Sequence, residues 1–565
     1  MYILGIKSGG HESAACLIKD GKVIAAAEEE RFNRIKHSTG FPKLAMKWCM
    51  DYAGISIYDV DYVTSPIDPW VGLPHIIWHF IRYFPKTLKL AEERKESGYM
   101  SYFKEKELVY KYANANQKEC KFKFIPVEHH IAHAASAFLV SPFKEAAILT
   151  VDAVGEWAST MLSYGNGTEI KKLKEIDFPH SLGFLYQAFT DYLGFEVGDG
   201  EGKVMGLAPY GEPSYLDVFN KMVKKTNDGG FKFDLSYFGY HIYGHRQMLS
   251  EKAKAIFNQP RQKEAPLTKH HKDVAASLQK CLEETALHMV RWLHDQTHSK
   301  NLCVAGGVAL NSVMNMRILK ETNFEKIFTQ PAAIDSGAVL GSAVYASVKQ
   351  LGQRNYVMEH AYLGPEFSDK DYVAALKKYN LNYRKEASIE KIAAHYLARS
   401  KIFGWFQGRM ELGPRALGNR SILADPRKAE MKDIINARVK HREPFRPFAP
   451  SILAEYADEY FDLKGNESPF MLLVPKVFPE KEKEIPAVIH VDGTGRLQTV
   501  TKRQNPRYYK VISEFFRLTG VPVLLNTSFN VRGQPIVNTP EQAIEMFLNE
   551  DMDGLVLGDY LTLKK

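Results

Sequence analysis

One local layout occurs twice in this sequence, and that repeat constrains the fold more than any other feature. Tyr2–Lys7 reads as a strand, residues 11–18 as a second and residues 23–28 as a third, with Asp20-Gly21 between the last two. Asp-Gly is a strong hairpin signal, because a two-residue turn between twisted strands needs positive φ at both positions. Residues 146–152 then form an apolar strand that ends in an aspartate. Residues 157–164 form the next, Gly165-Asn166-Gly167 supplies a turn, and Glu169 opens the third.

Two such units facing each other across a cleft make an actin-like or hexokinase-like ATPase layout, in which the hairpin turns hold nucleotide phosphates. A chain of 565 residues exceeds one core, so two or three domains are expected. Residues 66–125 and 212–300 carry helical periodicity and charge and read as insertions or flanking helices. Val304-Ala305-Gly306-Gly307-Val308-Ala309-Leu310-Asn311 reads as a buried strand breaking into a Gly-Gly turn before a helix, where backbone can approach a nucleotide. Residues 331–337 form a loop that delivers Asp335 to a small-residue helix over 338–346. The pattern loosens over 351–364, where the domain boundary is expected. Beyond it, helices alternate with strands over 402–406, 521–525 and 555–558.

Composition removes several classes. Hydrophobic residues make up 45% and charged residues 25%, as in ordinary globular proteins. The start of the chain runs straight into a strand pattern and carries no signal-like segment. The most apolar window, residues 70–83, holds two histidines and an arginine and is too short to span a bilayer. Cys16, Cys49, Cys120, Cys281 and Cys303 show no C-x-x-C spacing and read as buried thiols of a cytoplasmic protein. The formal net charge is +8, and residues 401–450 hold 11 Lys+Arg against 5 Asp+Glu. That concentration favours a small anionic ligand over nucleic acid.

Within that window, residues 408–421 pack three arginines and three glycines into fourteen positions. Glycine lets backbone N–H groups approach a ligand, and arginine offers a planar fork to an oxyanion, so the stretch reads as a phosphate or carbonyl-phosphate wall. Lys440 and Arg446 flank Pro444-Phe445, Asp492-Gly493-Thr494-Gly495-Arg496 presents an arginine on a turn, and Asn526 and Ser528 follow a strand. Lys203 is flanked by glycines in Gly200-Glu201-Gly202-Lys203-Val204-Met205-Gly206 and reads as ligand-facing. His129 and His133 are four apart and share a helical face, a spacing that suits one metal ion. His75/His79, His241/His245 and His294/His298 share that spacing, so it does not by itself separate a ligand pair from a structural one. Small neighbours at Ala132, Ala134, Ala135 and Ser136 leave room at the first pair. Adding Asp152 and Asp335 gives two imidazoles and two carboxylates, a set for divalent iron, manganese or zinc. His11 sits in the first phosphate-turn position, as a base, a hydroxyl-orienting group or a satisfied turn histidine. Lys36 follows an acidic run and reads equally as a solvated charge.

Together these residues resemble the O-carbamoyltransferases of the NodU/CmcH type, the group that includes tobramycin and nodulation-factor carbamoyltransferases. The resemblance covers nearly the whole chain. Its most specific pieces are Glu28-Glu29-Glu30-Arg31-Phe32, the run from His129 to Phe138, Lys203-Val204-Met205-Gly206-Leu207-Ala208-Pro209-Tyr210-Gly211, Gly306-Gly307-Val308-Ala309-Leu310-Asn311, and residues 408–421.

The resemblance implies an α/β protein with a duplicated actin-like, RNase H-like domain over 1–360 and a YrdC-like α/β domain over 361–565. It implies that the second domain makes carbamoyl-adenylate from carbamoyl phosphate and ATP with Mg2+. The first domain would then transfer the carbamoyl group to a hydroxyl of a small acceptor with the help of an iron-type ion. It assigns His129, His133, Asp152 and Asp335 to the metal. It places His11, Lys36, Arg415 and Arg446 at the reacting groups. Lys203, Gly306, Gly307, Asn311, Lys440, Arg496, Asn526 and Ser528 fall to cofactor binding. Two departures lie at the acceptor-side turns: the family has His-Asp where this chain has His11-Glu12, and a glycine-rich turn where this chain has Ala153-Val154-Gly155. The alternative is a tRNA threonylcarbamoyl-type modification protein, against which stands the lack of a basic aromatic stripe outside the cradle. No membrane partner is expected, and the oligomeric state is left open, a homodimer included.

Overall fold

The computed structural model of the chain describes residues 1–10, 12–88, 90 and 99–564. It divides into two compact units, one of Met1–Glu29 with His37–Met358, the other of Glu30–Lys36 with Glu359–Lys565. The segment Glu30–Lys36, expected in the N-terminal domain, belongs by contact to the second unit. Arg34 anchors it there, donating to Ile536 O at 2.7 Å and Pro535 O at 2.8 Å, and Arg31 donates to Gly413 O at 2.9 Å.

The first unit contains the expected duplication. β1 (Tyr2–Lys7), β2 (Ala14–Lys19), β3 (Lys22–Glu28), β4 (Tyr62–Ser65) and β5 (Lys123–Pro126) form a sheet of order β3-β2-β1-β4-β5. β1–β3 are antiparallel neighbours, and β4 and β5 run parallel to β1. β6 (Glu145–Val151), β7 (Ala158–Asn166) and β8 (Glu169–Asp177) repeat the antiparallel half. A small hairpin of β9 (Val223–Lys225) and β10 (Phe231–Phe233) follows, and β11 (Asn301–Ala305) and β12 (Lys326–Thr329) supply the parallel half. The order β12-β11-β6-β7-β8 is the first sheet's order again.

The first hairpin turns at Asp20 and Gly21, with φ of 49° and 84°, as its sequence predicts. The second turns later than expected. Gly165 lies inside β7, where a Cβ would sit 2.5 Å from the Phe138 ring, and the positive-φ turn residue is Gly167. That glycine serves packing and not the turn.

Two helices bring chemistry to the sheets. The helix His129–Phe138 is buried at every residue, as its run of alanines allows. The helix Asp335–Leu351 crosses it so closely that a Cβ on Gly341 would stand 1.9 Å from Ala132 O. A long helix, Lys269–Thr297, and the helix Pro69–Tyr83 occupy the regions expected to be helical. Four cysteines are buried free thiols, whereas Cys120 is half-buried.

The second unit is a mixed α/β domain. β13 (Arg384–Lys385), β14 (Phe403–Phe406), β15 (Arg420–Ala424), β16 (Ala449–Leu453), β17 (Gln498–Val500), β18 (Val523–Ser528), β19 (Gly554–Leu557) and β20 (Tyr560–Leu563) form one sheet, ordered β13-β20-β19-β14-β15-β18-β16-β17. The helix Pro506–Thr519 buries Tyr508, Val511, Ile512 and Phe515, one apolar stripe at helical spacing. Asn505 caps its start and Gly520 its end. Each such side chain contributes about 1.5–3 kcal/mol on burial.

Candidate functional site

In the first unit, four side chains converge. Two come from one turn of the helix His129–Phe138, a third follows β6 directly, and the fourth opens the helix Asp335–Leu351. One donor atom from each of His129, His133, Asp152 and Asp335 lies within 4.8 Å of all the others. His129 Nε2 and His133 Nε2 stand 3.0 Å apart. Asp152 Oδ2 is 3.0 Å from His133 Nε2 and 3.7 Å from His129 Nε2, and Asp335 Oδ1 is 3.9 Å and 3.6 Å from the same atoms.

The surroundings aim these groups. His129 Nδ1 donates to Pro66 O at 3.2 Å, which leaves the Nε2 lone pair facing the cluster. Asp152 accepts from the backbone N–H of Ala153 at 2.7 Å and of Gly307 at 3.2 Å. Glu156 accepts from the N–H of His129 at 3.0 Å and of Asp68 at 2.7 Å, fixing the helix start. Lys7, at the end of β1, lies 2.8 Å from Asp335 Oδ2 and donates to Gly9 O at 2.8 Å. His130, between the two facing histidines in sequence, is occupied elsewhere, by Thr150 Oγ1 and Ala158 O.

The electrostatics of the cluster call for positive charge. Burial opposes a charge on His129, yet its hydrogen bond to Asp152 and the charges of Asp335 and Asp152 lift it to about 9. Burial pushes Asp152 up, and the two imidazoles outweigh it and hold it well below the carboxylate range. Two imidazole nitrogens and two carboxylate oxygens, with a tautomer set by a backbone carbonyl, fit a divalent first-row ion.

The other expected residues of this unit are placed differently. His11 lies outside the described residues. Its neighbour Glu12 is 3.1 Å from His37 Nδ1. Lys203 is buried, 3.7 Å from Asp199 and over the Phe195 ring. Gly306, at φ 89°, packs on Val151, and Gly307 serves Asp152. Asn311 is committed to structure. Its oxygen caps Met314 N at 3.0 Å and its amide donates to Gln279 at 2.8 Å.

In the second unit a cationic cradle forms. The charge of Arg446 acts on Arg415, Lys440, Arg442 and Arg496, that of Arg442 on Lys440 and Arg496, and that of Lys36 on Lys440. Burial and Arg446 push Arg415 down to about 10, and burial and Arg446 push Arg442 down to about 9. Burial, then Arg415, Arg446 and Arg442, depress Arg496. The Nε atoms of Arg415 and Arg496 are buried with no hydrogen-bond partner among the described residues. Lys440 donates to Ser528 O at 2.8 Å, Asn530 O at 2.6 Å and Asn530 Oδ1 at 2.8 Å. Asn526 donates to Ala416 O, Ser451 Oγ and Gln498 Oε1, while its own oxygen is buried without a partner among the described residues. Glu443, 3.7 Å from Arg446, and Glu550, whose charge acts on Lys440, are nearby carboxylates.

The stretch 408–421 works otherwise than its composition suggests. Its amides at Leu417 and Asn419 donate to Glu411 Oε1 at 2.8 Å and 2.7 Å, so the loop wraps its own carboxylate. Arg420 is fully buried, stacks 3.7 Å over Phe406 and donates to the carbonyls of Gln407, Gly408, Asn419 and Pro365. Arg409 binds the Leu363 and Gly364 carbonyls. Of the three arginines, Arg415 alone reaches the cradle. Lys7, Glu156 and Arg442 are the residues that the sequence reading misses. The signal available for Lys7 is a lysine ending an otherwise apolar strand.

Family profiles described as Carbamoyltransferase N-terminus and Carbamoyltransferase C-terminus match residues 2–344 and 394–564. An uncharacterized protein of Synechocystis sp. is 42% identical over 603 residues, covering 100% of this chain and 97% of that protein. Nodulation protein NolNO of Sinorhizobium fredii is 40% identical over 563 residues, covering 98% of this chain and 79% of that protein. Among solved structures, the Acidaminococcus fermentans (R)-2-hydroxyglutaryl-CoA dehydratase component A aligns with 62% of this chain and 98% of its own, at 14% identity and a TM-score of 0.33.

Proposed function

The chain belongs to the carbamoyltransferase family, and from that premise we propose that it is an ATP-dependent O-carbamoyltransferase whose two units divide the reaction. The second unit, essentially residues 361–565, takes carbamoyl phosphate, one water and ATP with Mg2+: water splits carbamoyl phosphate into carbamate and phosphate, and a carbamate oxygen then bonds to the α-phosphorus of ATP as the bond to pyrophosphate breaks, giving carbamoyl-adenylate. The first, essentially residues 1–360, joins the carbamoyl carbon to a hydroxyl oxygen of a small acceptor, a sugar, an antibiotic or another natural product, as the bond to AMP breaks.

The observation that carries this reading is the cradle. Cations crowd together there and outnumber the nearby carboxylates Glu443 and Glu550, and two guanidinium Nε donors are buried without partners among the described residues. A compact dianion such as carbamoyl phosphate relieves both conditions. Arg415, Arg442, Arg446 and Arg496 bind and orient the phosphates. Lys440 orders the 528–530 turn beside them, where Ser528 donates to Asn530 Oδ1 at 2.6 Å, and Asn526, its amide held by Ala416, Ser451 and Gln498, braces the adjoining strand.

In the first unit His129, His133, Asp152 and Asp335 would hold a divalent ion, iron first, with manganese and zinc within the same donor chemistry. When bound, it supplies Lewis acidity for charge developing on the carbamoyl carbonyl oxygen. The chain's own part is orientation. Pro66 O fixes the His129 tautomer, Glu156 fixes the helix start, and Gly307 N–H steadies Asp152. Lys203 and the Gly306-Gly307 turn are the nucleotide side of this unit. Among the described residues no helix is long and apolar enough to cross a membrane.

The test is pyrophosphate release from ATP that depends on carbamoyl phosphate, followed by mass spectrometry of hydroxylated metabolites for one added carbamoyl group. Arg415→Ala reduces the release by ~10²–10³. Release that is undiminished by this substitution removes the assignment of the cradle.

A further inference from the structure

β1 carries five apolar or small residues and then ends on a lysine that is 1% exposed. Taking an ammonium out of water is costly unless a carboxylate pairs with it. Here the partner is Asp335, through Oδ2 at 2.8 Å, while Oδ1 of the same carboxylate faces His129 and His133. The two carboxylates of the cluster are therefore held unequally. Asp152 receives neutral backbone N–H donors from Ala153 and Gly307. Asp335 receives a full positive charge, and the bond from Lys7 to Gly9 O ties that charge to the turn after β1.

We propose that Lys7 is a resident counter-cation of the two-carboxylate centre, which stabilises the centre before a divalent ion arrives and weakens its hold on that ion. The inference rests on reading His129, His133, Asp152 and Asp335 as an ion site. Two buried carboxylates in one cluster repel each other, and Lys7 offsets one of them while the ion is absent. Once an ion binds Asp335, the ammonium faces a second cation across the same carboxylate, and its contribution falls. A group that stabilises the ion-free state more than the loaded state lowers affinity by that difference. Lys7 also takes up one Asp335 oxygen, which leaves the other for the ion. It acts through Asp335 and is a positioning residue.

The experiment compares the full-length chain with Lys7→Met and with Lys7→Gln, which keeps a donor and loses the charge. Thermal midpoints are read with and without Mn2+, and the Mn2+ dissociation constant is read from the EPR signal of the free ion. Both variants melt earlier than the native chain without Mn2+. Both regain more on adding it, and both bind Mn2+ about tenfold more tightly, the ratio that roughly 1.4 kcal/mol of coupling produces. A purely structural lysine lowers the midpoint equally in both states and leaves affinity unchanged, which overturns the proposal. Failure of both variants to fold even in saturating Mn2+ also overturns it, because the ion should replace the lost cation. If the native chain binds none of Mn2+, Fe2+ or Zn2+ in equilibrium dialysis, the ion-site reading itself fails, and this is seen before any variant is made.

Discussion

His129 Nε2 and His133 Nε2 face each other at 3.0 Å across one turn of a fully buried helix. Two imidazole lone pairs at that distance need a proton or a metal ion between them, and Asp152 Oδ2, 3.0 Å from His133, adds negative charge to the same point. Removing either partner should therefore empty the proposed ion site and leave the proposed cradle of the second unit working. His133→Ala and Asp152→Asn are each expected to lose bound metal on dialysis, measured by elemental analysis. Carbamoyl transfer falls by at least ~100-fold, since changes to outer-shell partners alone cost 10–100-fold. Carbamoyl-phosphate-dependent pyrophosphate release persists. A parallel loss of both activities would contradict the division of labour.

The four donors of this centre are legible in the sequence because each has a local signal. Two histidines share a small-residue helix face, one aspartate ends an apolar strand, and the other opens a helix. The repeated three-strand antiparallel half is legible for the same reason, since its hairpins announce themselves at Asp20-Gly21 and around Gly167, whereas the place of the parallel strands that complete each sheet is not. Lys7 and Glu156 are not, because what matters about them is a partner far away in the chain, Asp335 for one and the His129 N–H for the other. Residues 408–421 mislead in the opposite way. Composition lists the donors but not the acceptors that already hold them, and Glu411 and four backbone carbonyls hold most of those in this loop. Gly165 shows the same limit, since a glycine needed beneath the Phe138 ring looks locally like a turn.

The close crossing at Gly341 ties stability to the proposed ion site. A methyl there would meet Ala132 O at 1.9 Å, so the helix bearing Asp335 and the helix bearing both histidines must move apart. Overpacking of this kind costs about 1–3 kcal/mol. Gly341→Ala is expected to lower the thermal midpoint and also to weaken Mn2+ binding, because it separates ligands on the two helices. A lowered midpoint with unchanged Mn2+ affinity would show that the helices shift without disturbing the cluster.

Arg415 and Arg420 are five residues apart and should respond oppositely to truncation. Arg420 donates from both terminal nitrogens to backbone carbonyls and stacks on Phe406, leaving only its Nε without a partner among the described residues, so Arg420→Ala leaves buried acceptors unpaired and costs roughly 2–4 kcal/mol in denaturant unfolding. Arg415 has a buried Nε with no partner among the described residues and sits against the cation Arg446. Arg415→Ala should leave stability unchanged or raised while reducing pyrophosphate release by ~10²–10³, the usual cost of one oxyanion donor.

Lys440 gives the cradle a pH signature. Burial, then Arg442, Arg446 and Lys36, hold its ammonium well below the ordinary lysine value of 10.5. Between the lowered folded value and 10.5 the unfolded chain binds more protons than the folded one, so stability without ligand rises with pH across that window and is lowest on its acid side. An anion in the cradle offsets the repulsion that causes the shift and keeps Lys440 charged. Sulfate, whose charge is constant throughout, should therefore raise the thermal midpoint most on the acid side, and progressively less as pH climbs toward 10.5. The comparison is made against chloride at matched ionic strength, so that general screening cancels. Arg496→Ala, which removes one cation from around the anion, should shrink the sulfate effect at every pH. A sulfate gain that stays constant across the window would mean that the anion binds away from Lys440.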